Sequence, residues 1–383
     1  MINELIGSGS ICNIKKIIEE NSIQRVLLVT GKASYSKSGA ERLLESFLQN
    51  VEVARFSDFD VNPKLEEVSP GKKLLTSFCP DIVVAIGGGS VIDMGKLINI
   101  FSAHPNTDIK LLVTGEAKIT TKGLLFVAIP TTAGAGSEAT HFAVVYMAGN
   151  KYSLAHEYLR PDYVIIDPVL TYELPQYIAA SGGLDALSQA VESYWAVGST
   201  EKSKKYSTEA IEIILPSIVK AVRDKDKLAM DAMAIGANLA GKAINISKTT
   251  ASHAISYSIA AYLGIAHGHA VALTLGKFFI INSQGKGNLI VDKRGLTYVE
   301  KTMKELFGLF GCSGPMECCD KWYKLLKDIG LTTDLNELGV VCHSSNIKQI
   351  TNNINLERLN NNPVKVSDDM LNKLLVHVGF FAG

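Results

Sequence analysis

Between residues 25 and 166 the chain alternates short apolar runs with segments of helical period, and that alternation narrows the fold more than any other feature. Arg25–Thr30 (RVLLVT), Val51–Phe56, Asp81–Ile86 (DIVVAI), Leu124–Ile129 (LLFVAI) and Tyr163–Ile166 read as strands. Lys37–Asn50, Lys64–Ser77 and Val91–Ala103 read as the helices between them, with Pro70 expected to break or kink the second. Continuous apolar strands are buried on both faces, so the pattern predicts an open parallel sheet with helices on both sides. His141–Tyr146 and Lys151–Leu154, joined by Met-Ala-Gly-Asn, predict an added hairpin.

From about residue 176 the texture changes. Ile178–Val197, Ser203–Arg223, Lys225–Ala243 and Thr250–Leu263 carry long helical patterns, and strand-like runs almost vanish. The reading is an α/β domain over 1–175 followed by an all-α domain over 176–383. The Asn-rich stretch Asn352–Asn362 predicts a surface loop. With 38 basic and 38 acidic residues the net charge is zero, so nothing favours nucleic acid or a membrane surface as a partner. The opening MINELIGSGSICNIKK lacks the apolar core of a signal peptide. Six cysteines at 12, 79, 312, 318, 319 and 342 form no CxxC pair, and free thiols in a cytoplasmic protein are expected.

Three turns at strand ends carry candidate chemistry. In AIGGGSVIDMGK, Gly87, Gly88 and Gly89 stand between a buried strand and a helix start, where backbone N–H groups can approach a phosphate. A plain tight turn explains the same glycines. Asp93 and Lys96 on the following helix would either reach a ligand or form a solvated pair. PTTAGAGSEAT, Pro130–Thr140, packs glycines and small hydroxyls after another strand, as a nucleotide-lining loop does. Two such turns at the C-terminal ends of parallel strands reinforce each other. After the first strand, Gly31 and Lys32 supply no carboxylate for a ribose hydroxyl, which leans toward NADPH while leaving NADH open.

A second set of residues suits a metal. Asp185 and Gln189 stand four residues apart on one helical face, although Gln is a poor ligand. His253 and His267 would complete a carboxylate–imidazole set fit for Fe2+ or Zn2+. Sequence spacing by itself does not bring them together.

GGGSVIDMGK, PTTAGAGSEAT, GLDALSQAVESY and the segment His253–His269 resemble the iron-containing (group III) alcohol dehydrogenase family in order and spacing. The resemblance implies a dehydroquinate synthase-like fold, with a dinucleotide-binding α/β domain, a helical domain and the site in the cleft between them. It implies hydride transfer between NAD(P)H and an aldehyde or ketone, with one divalent metal. Gly87, Gly88, Gly89, Ser90 and Asp93 would bind the pyrophosphate region, and Thr131, Thr132 and Ser137 would line the nicotinamide side. Asp185, His253 and His267 match three of the family's four metal ligands. Gln189 stands where the family commonly has His, and would bind weakly or hold a water. Tyr257 stands where many members have a His near the substrate. Tyr257 or His269 would relay the proton that the reduced product takes up. Family members often form dimers or larger assemblies.

Within the family, KAINISKTTASHAISY, DALSQAVESYWAV and HFAVVY look most similar to the phosphonoacetaldehyde reductases, which form 2-hydroxyethylphosphonate. Lys248 and Thr249, beside Lys242, Ser247 and Thr250, would cradle an anionic aldehyde at a helix start; a helix cap with a solvated Lys is the plainer reading. His141, Lys151 and His156, in HFAVVYMAGNKYSLAH, would add to that cradle. Three other readings compete: a general aldehyde reductase, a cyclase or lyase resembling dehydroquinate synthase, and an NADPH-binding module that has lost its metal.

Overall fold

The computed structural model describes residues 3–333, 337–338 and 354–377. The chain divides into two compact units, Met1–Leu174 and Pro175–Gly383.

The first unit is built on a six-stranded sheet in the order β1-β8-β5-β4-β2-β3. Its strands are β1 (Asn3–Ile6), β2 (Arg25–Thr30), β3 (Glu52–Phe56), β4 (Ile82–Gly87), β5 (Leu125–Pro130) and β8 (Tyr163–Ile166). All five pairings are parallel, with Val26 beside Ile82 and Ala85 beside Ala128. Alternate side chains enter different cores. Leu27, Val29, Val83 and Ala85 pack in one with Phe101 and Ile98, while Val26, Leu28, Ile82 and Val84 pack in the other with Ile14 and Leu44. That division explains why these strands are apolar throughout. The short antiparallel pair β6 (Phe142–Met147) and β7 (Asn150–Ala155) forms the expected hairpin.

Several elements depart from expectation. Strand β1 was absent from the sequence reading because NELI is short and half polar. The helix Leu65–Phe78 runs on through Pro70. Pro70 and Glu66 are exposed, so water can serve the Glu66 carbonyl that loses its partner. Of the segment expected as a surface loop, Asn352 and Asn353 lie outside the described residues. Leu356–Leu359 is a short helix, and Asn362 is fully buried against Asn282. Cys342 also lies outside the described residues. Cys12, Cys79, Cys312, Cys318 and Cys319 are free thiols.

Chain order reverses between β2 and β4: β3 lies to one side of this pair and β5 to the other. The turns after β2 and β4 therefore flank the sheet's switch point, where open α/β sheets leave a ligand crevice. The loop after β5 is fixed from below. Lys96, on the helix Gly89–Ser102, is 2% exposed and donates to the carbonyls of Ser137 at 2.6 Å, Thr140 at 2.8 Å and Phe142 at 2.7 Å. Asp93 accepts from the Ser137 hydroxyl and from the Val144 N–H at 3.0 Å. Burial lowers the Lys96 ammonium to about 8, against the opposing pull of Asp93 and Glu138.

The second unit is helical. α1 (Gln176–Trp195), α2 (Glu201–Val219), α3 (Lys227–Ser247), α4 (Ala251–Leu263) and α5 (His267–Gln284) are followed by α6 (Leu296–Leu309) and α7 (Pro315–Asp328). α1 packs on α2, α3 and α5, and α4 and α7 also pack on α5. Among the described residues, no helix is long and apolar enough to cross a membrane.

Lys96→Met should lower stability by roughly 3–5 kcal/mol, because three buried carbonyls and Asp93 lose their cation. Urea denaturation measures this. A loss below about 1 kcal/mol, the scale of one ordinary hydrogen bond, would mean that the network does not hold the loop.

Candidate functional site

In the first unit the glycine turn is shaped by packing as much as by access. A Cβ on Gly87 would lie 2.5 Å from Val91 Cγ2, and one on Gly89 would lie 2.7 Å from the Ala135 Cβ. At Gly88 the nearest atoms would be those of Thr132 at 3.5 Å, an ordinary contact. Gly88 is thus the glycine that faces the Thr132 side of the turn. The Thr131 N–H donates to the Gly87 carbonyl at 3.0 Å and ties the two turns together. Ser90 Oγ accepts from the Asn62 N–H at 3.0 Å.

One sequence expectation, that of a solvated Asp93–Lys96 pair, is corrected here. Asp93 and Ser137, read as coenzyme contacts, are buried and bonded to each other. Asp93 and Lys96 are not a solvated pair, because both are enclosed in the loop network. At the turn after β2, Lys32 lies 3.5 Å from Asp58 and 3.4 Å from Asp60. Carboxylates absent from the Gly31–Lys32 turn therefore arrive from the segment after β3. Gly31 is held close to Ser34, whose Oγ would lie 2.2 Å from an added Cβ.

In the second unit three donors converge. Asp185 lies on α1, His253 on α4, and His267 opens α5. His253 Nε2 is 3.3 Å from Asp185 Oδ1, and His267 Nε2 is 4.0 Å from the same atom. All three donor atoms lie within 4.8 Å of one another. A tetrahedral ion bonded at about 2.1 Å would hold its donors about 3.4 Å apart. The observed spacing fits one divalent ion, so Asp185, His253 and His267 could hold a metal. The reason they meet is Gly268. A Cβ there would lie 2.0 Å from the Ser181 carbonyl oxygen and 2.7 Å from the Asp185 Cβ. Only glycine lets the first turn of α5 approach α1 this closely, and His267 is its neighbour.

Burial alone would raise the Asp185 carboxyl, but the hydrogen bond from His253 and the charge of His267 hold it below its usual range. Gln189, one turn on, is buried and hydrogen-bonds to Asp185. Tyr257 stacks flat on His267, with ring centroids 5.3 Å apart at 7°. His269 is corrected as a proton relay. Two residues beyond His267 it points to another side of α5, where Nε2 meets the Thr332 carbonyl at 2.8 Å and Nδ1 faces the Tyr177 hydroxyl at 3.5 Å. Burial lowers its pKa, which favours a neutral structural ring.

The expected anion cradle is also altered. Lys248 is paired with Glu357, and Thr249 is buried. The Asn361 side chain holds the Ser247 and Thr249 carbonyls at 2.8 and 2.9 Å. Lys248 takes φ +63°, unusual for a residue with a Cβ. His141 and Lys151 belong to the first unit and stand toward opposite ends of the β6–β7 hairpin, since His141 borders the open end and Lys151 pairs with Tyr146 near the turn.

Sequence reasoning missed Glu192. It is completely buried two turns beyond Asp185, and its Oε2 accepts from His253 Nδ1. It stands in the same quoted motif, at a spacing that shares the Asp185 face, and that spacing was the available signal.

Comparison with known proteins agrees with this architecture. The iron-containing alcohol dehydrogenase model matches residues 3–168, and the C-terminal model of the Fe-containing alcohol dehydrogenase family matches 179–378. The chain belongs to the iron-containing alcohol dehydrogenase family, a family of oxidoreductases. It is 30% identical to the phosphonoacetaldehyde reductase of Streptomyces viridochromogenes, over 92% of this chain and 89% of that protein. It is 27% identical to aldehyde-alcohol dehydrogenase 2 of Entamoeba histolytica over 84% of this chain, but spans only 39% of that protein's length. Among solved structures, sulfoacetaldehyde reductase from Bifidobacterium kashiwanohense in complex with NAD+ is similar at 29% identity and TM-score 0.88, over 99% of this chain and 97% of that one.

His267→Ala should reduce bound divalent metal to below about a tenth of wild type, given the weight of one ligand in a three-donor set. Binding of a nicotinamide coenzyme should be unchanged. Elemental analysis and fluorescence titration measure the two. Full metal retention in the variant would contradict the assignment of His267.

Proposed function

We propose that this protein is an NADPH-dependent, metal-assisted aldehyde reductase acting on a small anionic aldehyde, with phosphonoacetaldehyde the leading substrate and 2-hydroxyethylphosphonate the product. The observation that carries the catalytic part is the convergence of Asp185, His253 and His267 at 3.3 and 4.0 Å. A divalent ion on these residues, Fe2+ or Zn2+, would supply Lewis acidity for an aldehyde oxygen. The nicotinamide coenzyme supplies the hydride.

The chain's own residues supply position and protons. Asp185 contributes the anionic donor, kept ionised by its imidazole neighbours. Tyr257 steadies the His267 ring by stacking and is the proposed proton source for the alcohol oxygen. Gly87, Gly88, Gly89, Ser90, Thr131 and Thr132 are the proposed coenzyme contacts, because they line the turns after the central strands β4 and β5. Lys32 is the proposed partner of the 2′-phosphate. It would have to exchange Asp58 and Asp60 for that phosphate, which leaves NADH usable.

Two similarities support an anionic substrate. One relative is named for phosphonoacetaldehyde, and one solved structure for sulfoacetaldehyde. Both are two-carbon aldehydes carrying a strongly acidic group. Lys248 is the proposed anchor, with the substrate anion displacing Glu357.

NADPH oxidation with phosphonoacetaldehyde should exceed that with propanal by about a hundredfold in kcat/KM, or roughly 2.7 kcal/mol of transition-state binding. Lys248→Met should raise KM for the anionic aldehyde and leave that for propanal unchanged. NADPH should outperform NADH in the same assay. Equal rates with both aldehydes would leave a general aldehyde reductase. No NADPH consumption with any aldehyde would overturn the reductase reading.

A further inference from the structure

Glu192 is an unusual residue to find at zero exposure, since an ionised carboxylate far from water needs several partners. It has them all from one place. Its Oε1 accepts from the Thr250 hydroxyl at 2.8 Å and the Ser252 N–H at 2.8 Å, with the His253 N–H at 3.4 Å. Its Oε2 meets His253 Nδ1. Thr250, the residue before α4, makes no side-chain cap to its own helix. The free N–H groups at the start of α4 are therefore answered by a carboxylate from α1. Thr250 Oγ1 in turn accepts from Trp195 Nε1 at 2.9 Å.

The consequence for His253 is chemical. A carboxylate only accepts, so Nδ1 carries a proton toward Glu192; Nε2 faces the Asp185 carboxylate at 3.3 Å, and its proton is the one that an ion would displace. Nε2 is the nitrogen that belongs to the donor triad. Carboxylate–imidazole pairs of this kind fix both tautomer and ring direction in metal sites.

We propose that Glu192 is a positioning residue of the metal centre: it caps α4 and, with the same carboxylate, locks His253 in the tautomer that presents Nε2 to the ion. This rests on the reading that Asp185, His253 and His267 bind a metal. Metal affinity is then tied to the α1–α4 contact, because one side chain serves both.

The test compares zinc affinity, by competition with a chromophoric chelator, in wild-type protein, Glu192→Gln and Trp195→Phe. The glutamine has nearly the same shape, but with its oxygen on the Ser252 N–H it turns an NH2 toward Nδ1. That favours the tautomer with Nε2 protonated. Glu192→Gln should weaken zinc binding by about 10- to 100-fold. Trp195→Phe loosens Thr250 one step further out and should lower the melting temperature with zinc affinity unchanged. Equal affinity in Glu192→Gln and wild type overturns the proposal, as does an equal loss in both variants, which would make the effect general destabilisation. Failure of wild-type protein to bind zinc overturns the metal reading itself and the proposal with it. Should Glu192→Gln not fold, nitrogen-15 spectra of zinc-loaded wild-type protein decide. Nδ1 of His253 should carry the proton and Nε2 the metal, and the reverse would overturn the proposal.

Discussion

Two buried carboxylates, Asp185 and Glu192, share one face of α1, and the arrangement of the second unit answers the need to satisfy them. A carboxylate out of water is tolerated only when paired and hydrogen-bonded. Glu192 is met by the start of α4 and by one edge of His253. Asp185 is met by the other edge of that ring and by His267. His253 therefore sits between two acids, and their charges raise its pKa to about 9 against the effect of burial. The set is electrostatically poised for a cation. A divalent ion bound there would replace the proton that the imidazole otherwise holds, since the ligand must be neutral to bind.

The first unit uses the same logic for a different end. Lys96 and Asp93 are buried charges, but each is occupied within the loop that follows β5. They fix the loop that follows β5 to the helix Gly89–Ser102. Glycines at 87 and 89 let the turn after β4 pack closely on Val91 and Ala135.

Much of this was legible in the sequence because its strongest signals are local. Strands buried on both faces read as unbroken apolar runs, and DIVVAI and LLFVAI became β4 and β5 nearly residue for residue. Asp185, His253 and His267 were recognisable by type and by resemblance. What could not be read were contacts between elements distant in the chain. The partners of Lys32 come from the segment after the neighbouring strand, and Lys248 meets Glu357 from a segment that looked like a loop. His269 failed for a geometric reason: two residues along a helix turn a side chain away from its neighbour's target. Glu192 was overlooked because an acid on a helix normally faces water, and only the packing of α4 shows that it does not.

The measurement that bears most directly on the account is anomalous X-ray diffraction at the zinc and iron absorption edges, from crystals of the protein grown with each ion. The account requires one strong peak bounded by Asp185 Oδ1, His253 Nε2 and His267 Nε2. A peak elsewhere, or none at this place with either ion, would contradict it.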